Sequence, residues 1–306
     1  MAEAWERESF GLLAELAVRT RSIGLGTGII NVFSRSPALI AMSAATLDEM
    51  SGGRFRLGLG TSGARVVEDF HGLEYGKPLT RLREAVEIIR ALLAGERVDF
   101  KGECFEVSRF KLGFKPLRDR VPIYIAALAP KSLRQLGEIA DGWLPTLWPR
   151  RRLNEGISEI RAGAESAGRN ASEIDIAPFT NVVVSDDLGS ARAAARLPIA
   201  YYAGGMGDYY RAMLARQGFA DEADRIRQLW QRGRPKDAIR AVTDFMVDEI
   251  AICGPERNCI EQIDEMYSTG ATLPIVPIPV EGRTAEKCRL IESFMAYDAG
   301  TEMTPS

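Results

Sequence analysis

Residues 51–63 read SGGRFRLGLGTSG, and the fold turns on them. Phe55, Leu57 and Leu59 alternate with Arg56, Gly58 and Gly60, the period of a β-strand with one face largely stripped of side chains. Just upstream, Leu39, Met42, Leu47 and Met50 line a helix. Ser36-Pro37 reads as its N-cap and first residue, and Gly52-Gly53 as its stop. Before that helix, residues 21–28 (RSIGLGTG) repeat the strand pattern, with Gly24, Gly26 and Gly28 alternating against Ile23, Leu25 and Thr27. Short apolar strands separated by amphipathic helices predict a parallel sheet with helical crossovers.

Gly58 to Gly63 also spells GxGxxG after a strand. A dinucleotide-binding turn would need a helix at once and an acidic residue about 20 positions on, at the tip of the next strand. The following ARVVEDFHGLEYGKP reads as a loop, and Glu84 falls within a helical pattern instead. The better reading is a barrel strand whose glycines let a flat ligand approach.

Working outward, the periodicity predicts helices over 5–19, 79–93, 132–140, 151–168, 255–268 and 284–296. Strands are predicted over 122–127, 142–146, 174–185, 250–253 and 273–277, with a β-hairpin over 98–115. Residues 187–248 read as largely helical, too long for one crossover, and as an insertion near the carboxyl end of the strands. No low-complexity linker divides the chain, so residues 1–306 are expected to form a single (β/α)8 TIM barrel domain rather than an open doubly wound sheet. The chain opens on a helix and only about seven strands follow, so the barrel is expected to lack its first βα unit.

Composition narrows the chemistry. Hydrophobic residues make up 46% and the formal charge is −3, so there is no basic field for nucleic acid or an anionic membrane. No apolar run is long enough to span a bilayer, and MAEAWERESF, with neither a basic start nor an apolar stretch, is not expected to act as a secretory signal. Cys104, Cys253, Cys259 and Cys288 lack metal-site spacing and read as reduced thiols of a cytoplasmic protein. His71 is the sole histidine, which excludes multi-histidine metal sites; a catalytic triad would have to use it, and no GxSxG accompanies it. Chemistry here is expected to borrow a cofactor or rest on carboxylates.

Ala129-Pro130-Lys131-Ser132 opens a helix after a strand, where free N–H groups, Lys131 and Ser132 can face an anion; plain capping beside a surface lysine is the alternative. His71, in the loop after the second glycine strand, is either a structural hydrogen-bonder or a general base. Glu3 and Trp5 read as a site carboxylate and a ring wall, or as a loose terminus. The run Arg150–Arg152 reads as a solvated helix start or a contact for an anionic tail.

Together, the segments AEAWERESF, LGTGIINVFSRSPALIAMSAATLDEMSGGRFRLGLGTSG, PLTRLREAVEIIRALLAGERVDFKGECF, PIYIAALAPKSLRQLGEIADGWLPT and IAICGPERNCIEQI resemble the luciferase-like monooxygenase family, in its coenzyme F420 (deazaflavin) branch. The resemblance implies a (β/α)8 barrel with an insertion and a deazaflavin ring at the carboxyl ends of the strands. It implies a non-prolyl cis peptide behind the ring, here Gly28–Ile29, with Asn31 at the ring's polar edge. Thr61 and Ser62 match positions beside the cofactor, and Leu128, Ala129, Lys131 and Ser132 match positions near its phosphate. Members acting on sugar phosphates or alcohols carry an Asp-His pair where this chain has Glu3-Ala4, which leaves Glu3 or His71 as proton partner. The implied activity is hydride transfer with a small organic substrate, by a homodimer. The rivals are an FMN-dependent monooxygenase and a non-catalytic fold relative.

Overall fold

The computed structural model describes residues 1–5, 7–277 and 284–298. Helix α1 (Ser9–Arg19) precedes a strand in two pieces, β1 (Leu25–Gly26) and β2 (Ile30–Asn31). Helix α2 (Pro37–Met50) starts where Leu39 N–H donates to Ser36 Oγ at 3.2 Å, and ends where Gly52 and Gly53 take φ of 64° and 83°. Then come β3 (Phe55–Gly60), α3 (Pro78–Leu93), the antiparallel hairpin β4 (Val98–Lys101) and β5 (Glu106–Phe110), β6 (Ile123–Ile125) and α4 (Pro130–Ile139). β7 (Gly142–Trp143), α5 (Leu153–Ser166), β8 (Asp175–Ile176) and β9 (Val182–Val184) follow.

β1 and β2 both run parallel to β3, and the parallel ladder continues through β6, β7 and β8. Phe179 extends the arc, bridging Thr146 on one side and Ile275 on the other. The result is an α/β half-barrel of the TIM type. Phe55, Leu57 and Leu59 are fully buried and share one apolar core with Ile40, Ala44 and Ile88 of the surrounding helices. Each large side chain so buried contributes about 1.5–3 kcal/mol.

Two expectations change. The alternation over 174–185 predicts one strand, yet β8 stays in the arc while β9 leaves it to pair with β10 (Ile252–Gly254). That parallel ladder brings together the two ends of the helical insertion, α6 (Leu188–Gly205), α7 (Asp208–Leu214), α8 (Ala220–Gln231), α9 (Pro235–Arg240) and α10 (Asp244–Ile250). The strand predicted over 273–277 contributes only the bridge at Ile275, after α11 (Glu256–Ser268); α12 (Thr284–Asp298) comes last. No helix among the described residues is long and apolar enough to cross a membrane.

The glycine faces are not a bare shelf. A Cβ at Gly58 would sit 1.9 Å from the Thr27 carbonyl oxygen, and one at Gly28 would sit 2.6 Å from the Phe179 ring. These glycines admit neighbouring backbone and an aromatic ring, so the protein itself takes the space that the sequence reading reserved for a planar ligand. A cavity of about 500 Å³ does lie inside the arc, toward the strand starts, walled by Arg56, Tyr124, Leu144, Phe179 and Ile275. Of the predicted site residues, only Gly28 lines it.

Candidate functional site

Apart from Gly28 and Glu3, the predicted residues lie instead where neighbouring strands finish side by side. Asn31 pairs with Gly60, and Val32 N–H donates to the Gly60 carbonyl at 3.1 Å. On the far side of β3, Ala126 N–H donates to the Leu59 carbonyl at 3.0 Å, which sets Leu128 and Ala129 just beyond. The Gly28–Ile29 peptide is cis, between β1 and β2. Ile29 packs with Ala126 around Tyr124, Leu144 and Ala177.

Asn31 is buried, and its amide is fixed by the backbone that follows it. Its Oδ1 accepts N–H bonds from Phe33 at 3.0 Å and Ser34 at 2.8 Å. Its Nδ2 therefore faces outward, 3.4 Å from His71 Nε2. An amide nitrogen only donates, so this network assigns Nε2 as acceptor and puts the imidazole proton on Nδ1. His71 reaches this point through a single π-helical turn, Val66–Phe70, and its ring meets Phe70 edge-on at 5.0 Å. Asn31→Ala is expected to cost about 2 kcal/mol by stranding two buried N–H groups, read as a shift of the urea midpoint at unchanged slope.

Thr61 and Ser62 form the tip of β3, where Ser62 adopts φ of 55°, the left-handed region that a serine seldom occupies. Tyr75 holds this tip: its hydroxyl lies 3.3 Å from Thr61 Oγ1 and 3.3 Å from the Ser62 carbonyl. Burial raises the Tyr75 hydroxyl well above the ordinary phenol range, so it stays protonated. No pattern in the sequence marked Tyr75, because the loop carrying it is irregular.

At the end of β6, helix α4 starts at Pro130 with the two following N–H groups pointing out of its first turn. Ser132 Oγ is already engaged, accepting from Ala129 N–H at 3.1 Å and donating to the Ala129 carbonyl at 2.8 Å. The sequence reading offered that hydroxyl to an anion; here it caps the helix instead. Its place is taken by a residue that the reading passed over. Arg216, from the turn between α7 and α8, donates from Nη2 to the Leu128 carbonyl at 2.8 Å. Among the described residues, neither Arg216 nor the exposed Lys131 has a carboxylate partner within 4.0 Å. Burial pulls the Arg216 guanidinium below its ordinary range, and no carboxylate among the described residues offsets it.

Glu3 is placed otherwise. Both its oxygens hold the Arg35 guanidinium, and Oε2 also accepts Ser9 N–H at 2.8 Å. This pins the N-terminal segment to the start of α1 and to the loop before α2; a carboxylate so engaged is a tether, poorly placed to move a proton. Trp5 packs against Tyr201 of the insertion, ring centroids 6.3 Å apart. The run Arg150–Arg152 forms a short 3-10 turn before α5; Arg150 is buried and donates to the Asp248 carbonyl, and Arg151 pairs with Glu249. Those two arginines serve the insertion and not an anionic tail.

The insertion roofs the strand tips. Arg65 Nη1 donates to the Gly205 carbonyl at 3.2 Å, and the Tyr209 ring lies 6.4 Å from Tyr75. The strand tips thus carry, in order, an amide-imidazole pair, a hydroxyl-lined tip and, by the start of α4, two cations without a carboxylate partner among the described residues.

Comparison with known proteins bears on that layout. Luciferase-like monooxygenases, as a family, match residues 1–273. The chain belongs to that family. Among its curated relatives, 5,10-methylenetetrahydromethanopterin reductase of Archaeoglobus fulgidus is 34% identical over 93% of this chain and 86% of the relative. The enzyme of the same description from Methanolobus tindarius is 33% identical over 93% of this chain and 86% of its own length. Among solved structures, the coenzyme F420-dependent tetrahydromethanopterin reductase of Methanopyrus kandleri superposes with a TM-score of 0.80 at 27% identity. That match covers 95% of this chain and 87% of the other. The family likeness covers the strand tips and the insertion alike.

Proposed function

We propose that this luciferase-like protein is a coenzyme F420-dependent oxidoreductase that moves hydride between the deazaflavin and a small organic substrate. The observation that carries the reading is the meeting, on three adjacent strand tips, of a fixed donor-acceptor pair with two cations, at a helix N-terminus, that have no carboxylate partner among the described residues. The donor set suits a flat polar ring bearing an anionic tail. Asn31 and His71 would face the ring's polar edge, Ile29 and Leu128 its apolar surface, Thr61 and Ser62 its middle. Lys131, Arg216 and the first N–H groups of α4 would hold the phosphate.

When bound, the cofactor supplies the hydride chemistry; the protein supplies orientation, a dry cleft and proton control. The Asn31 amide leaves the His71 imidazole proton on Nδ1, and we assign His71 the role of proton partner. Glu3 is assigned none, because Arg35 and Ser9 already occupy it.

Titrating the purified protein with deazaflavin F420 and with FMN tests the reading. F420 is expected to bind at least about tenfold more tightly, a difference of about 1.4 kcal/mol. Tighter FMN binding would move the protein to the oxygen-using branch, and retention of neither would make it a non-catalytic relative. In the double variant Lys131→Ala, Arg216→Ala the affinity is expected to fall by about tenfold at low salt, with the deficit shrinking as ionic strength rises.

A further inference from the structure

Tyr75 stands at the crossing of three contacts. Its hydroxyl reaches both Thr61 Oγ1 and the Ser62 carbonyl, across an irregular stretch that leaves β3 and returns. Its ring stacks on Phe33 with centroids 5.0 Å apart and planes tilted by 26°. Phe33 is itself held, by its own N–H on Asn31 Oδ1 and by the Arg81 guanidinium 4.7 Å from its ring centroid. From the other side comes Tyr209 of α7, its ring centroid 6.4 Å from that of Tyr75. One side chain therefore links the tip of β3, the segment after β2 and the roof.

The tip needs such a link. Ser62 keeps a left-handed backbone without glycine's freedom, and the turn after it hangs on the Gly63 carbonyl, which accepts Val66 N–H at 3.0 Å and Val67 N–H at 3.1 Å. Thr61 Oγ1 has one further internal contact, the Ser62 carbonyl at 3.4 Å, at the limit of a hydrogen bond. Among the described residues, the phenol's two contacts at 3.3 Å are the shortest side-chain contacts that Thr61 Oγ1 and the Ser62 carbonyl make.

We propose that Tyr75 is a positioning residue that sets the Thr61–Ser62 tip for the cofactor and couples its geometry to helix α7 through Tyr209. The inference rests on the cofactor reading above for its consequence, and on the contacts alone for its cause. Tyr75 does not touch the reacting atoms; it acts through Thr61 and Ser62. The coupling runs both ways: whatever seats α7 against the cleft tightens the tip, and an ordered tip gives α7 a fixed wall.

Tyr75→Phe removes the hydroxyl and keeps the ring stack. Tyr209→Ala leaves Tyr75 its bonds to the tip and removes the ring that ties it to the roof. Two measurements on each variant decide the matter. In cofactor-free protein, amide hydrogen exchange at Val66 and Val67 is expected to accelerate at least about fivefold in Tyr75→Phe, and about twofold in Tyr209→Ala, while the buried amides of α2 keep wild-type protection. In titrations, Tyr75→Phe is expected to bind deazaflavin F420 about tenfold more weakly, with kcat at saturating cofactor within twofold of wild type. Unchanged exchange at Val66 and Val67, or a loss of protection shared equally by α2, overturns the proposal, the second because it would reveal only a general structural role. If wild-type protein binds no deazaflavin, the cofactor reading fails and the exchange result alone decides whether Tyr75 orders the tip.

Discussion

The Gly58→Ala variant is expected to lose about 3 kcal/mol of unfolding free energy and to hold cofactor too weakly to retain it through gel filtration. The added Cβ would lie 1.9 Å from the Thr27 oxygen, a main-chain atom that cannot rotate aside. Thr27 must move, and it is bound to Gly58 twice: its Oγ1 donates to the Gly58 carbonyl at 2.9 Å and accepts Gly58 N–H at 2.8 Å. Displacing Thr27 drags Gly28 and Ile29, and with them the register that presents Asn31 beside Gly60. Gly113→Ala is the control, since nothing lies within 4 Å of a Cβ there. Equal urea midpoints for the two variants would refute the packing argument.

Asp141→Asn is expected to cost about 3 kcal/mol at neutral pH and to flatten the acid limb of the stability curve. Asp141 gathers Arg90 at 2.7 Å, Arg120, Arg169 at 3.5 Å and the N–H of Ile123 at 2.9 Å, and so fastens the starts of β6 and β7 to the C-terminal end of α3. Burial works against its charge, but the Arg90 guanidinium and the other donors outweigh it and hold the carboxyl below the usual aspartate range. The sign follows. A carboxyl with a depressed folded-state pKa stabilises the native state above its unfolded value, and the contribution disappears as pH falls through the folded one. Wild type should therefore lose this increment below about pH 4, whereas the asparagine variant has none to lose. Urea unfolding of both proteins between pH 7 and pH 3 measures it; parallel curves would show that Asp141 is not a titrating tether.

Much of the scaffold is written locally. Ser36-Pro37 and Gly52-Gly53 bracket α2 because capping chemistry depends on adjacent residues, and the alternation of Phe55, Leu57 and Leu59 announces β3 for the same reason. The hairpin expected over 98–115 closes earlier, at Phe110, and the insertion expected over 187–248 runs from Leu188 to Ile250. What escaped is non-local. Ile174–Ser185 alternates evenly, and only the distant segment Ile252–Gly254 draws its second half out of the arc. Glu3 looks available until Arg35, 32 positions away, takes it. Arg216 reads as one more solvated arginine, and its partner lies 88 positions upstream. Glycines at 28 and 58 were rightly seen as room made on one face, but sequence does not say for whom, and the tenants are Phe179 and the Thr27 carbonyl.

The seating of the roof has a consequence for how such a scaffold diversifies. Arg65 and Arg216 cross between tips and insertion, and each ends on a main-chain oxygen, of Gly205 and Leu128 respectively. Every amino acid supplies that oxygen, so these two clasps do not depend on which side chains α6 and α7 present to the cleft. Mutation can therefore redraw the substrate-facing lining without unlatching it, which leaves the selectivity of the enzyme free to drift while its architecture stays put.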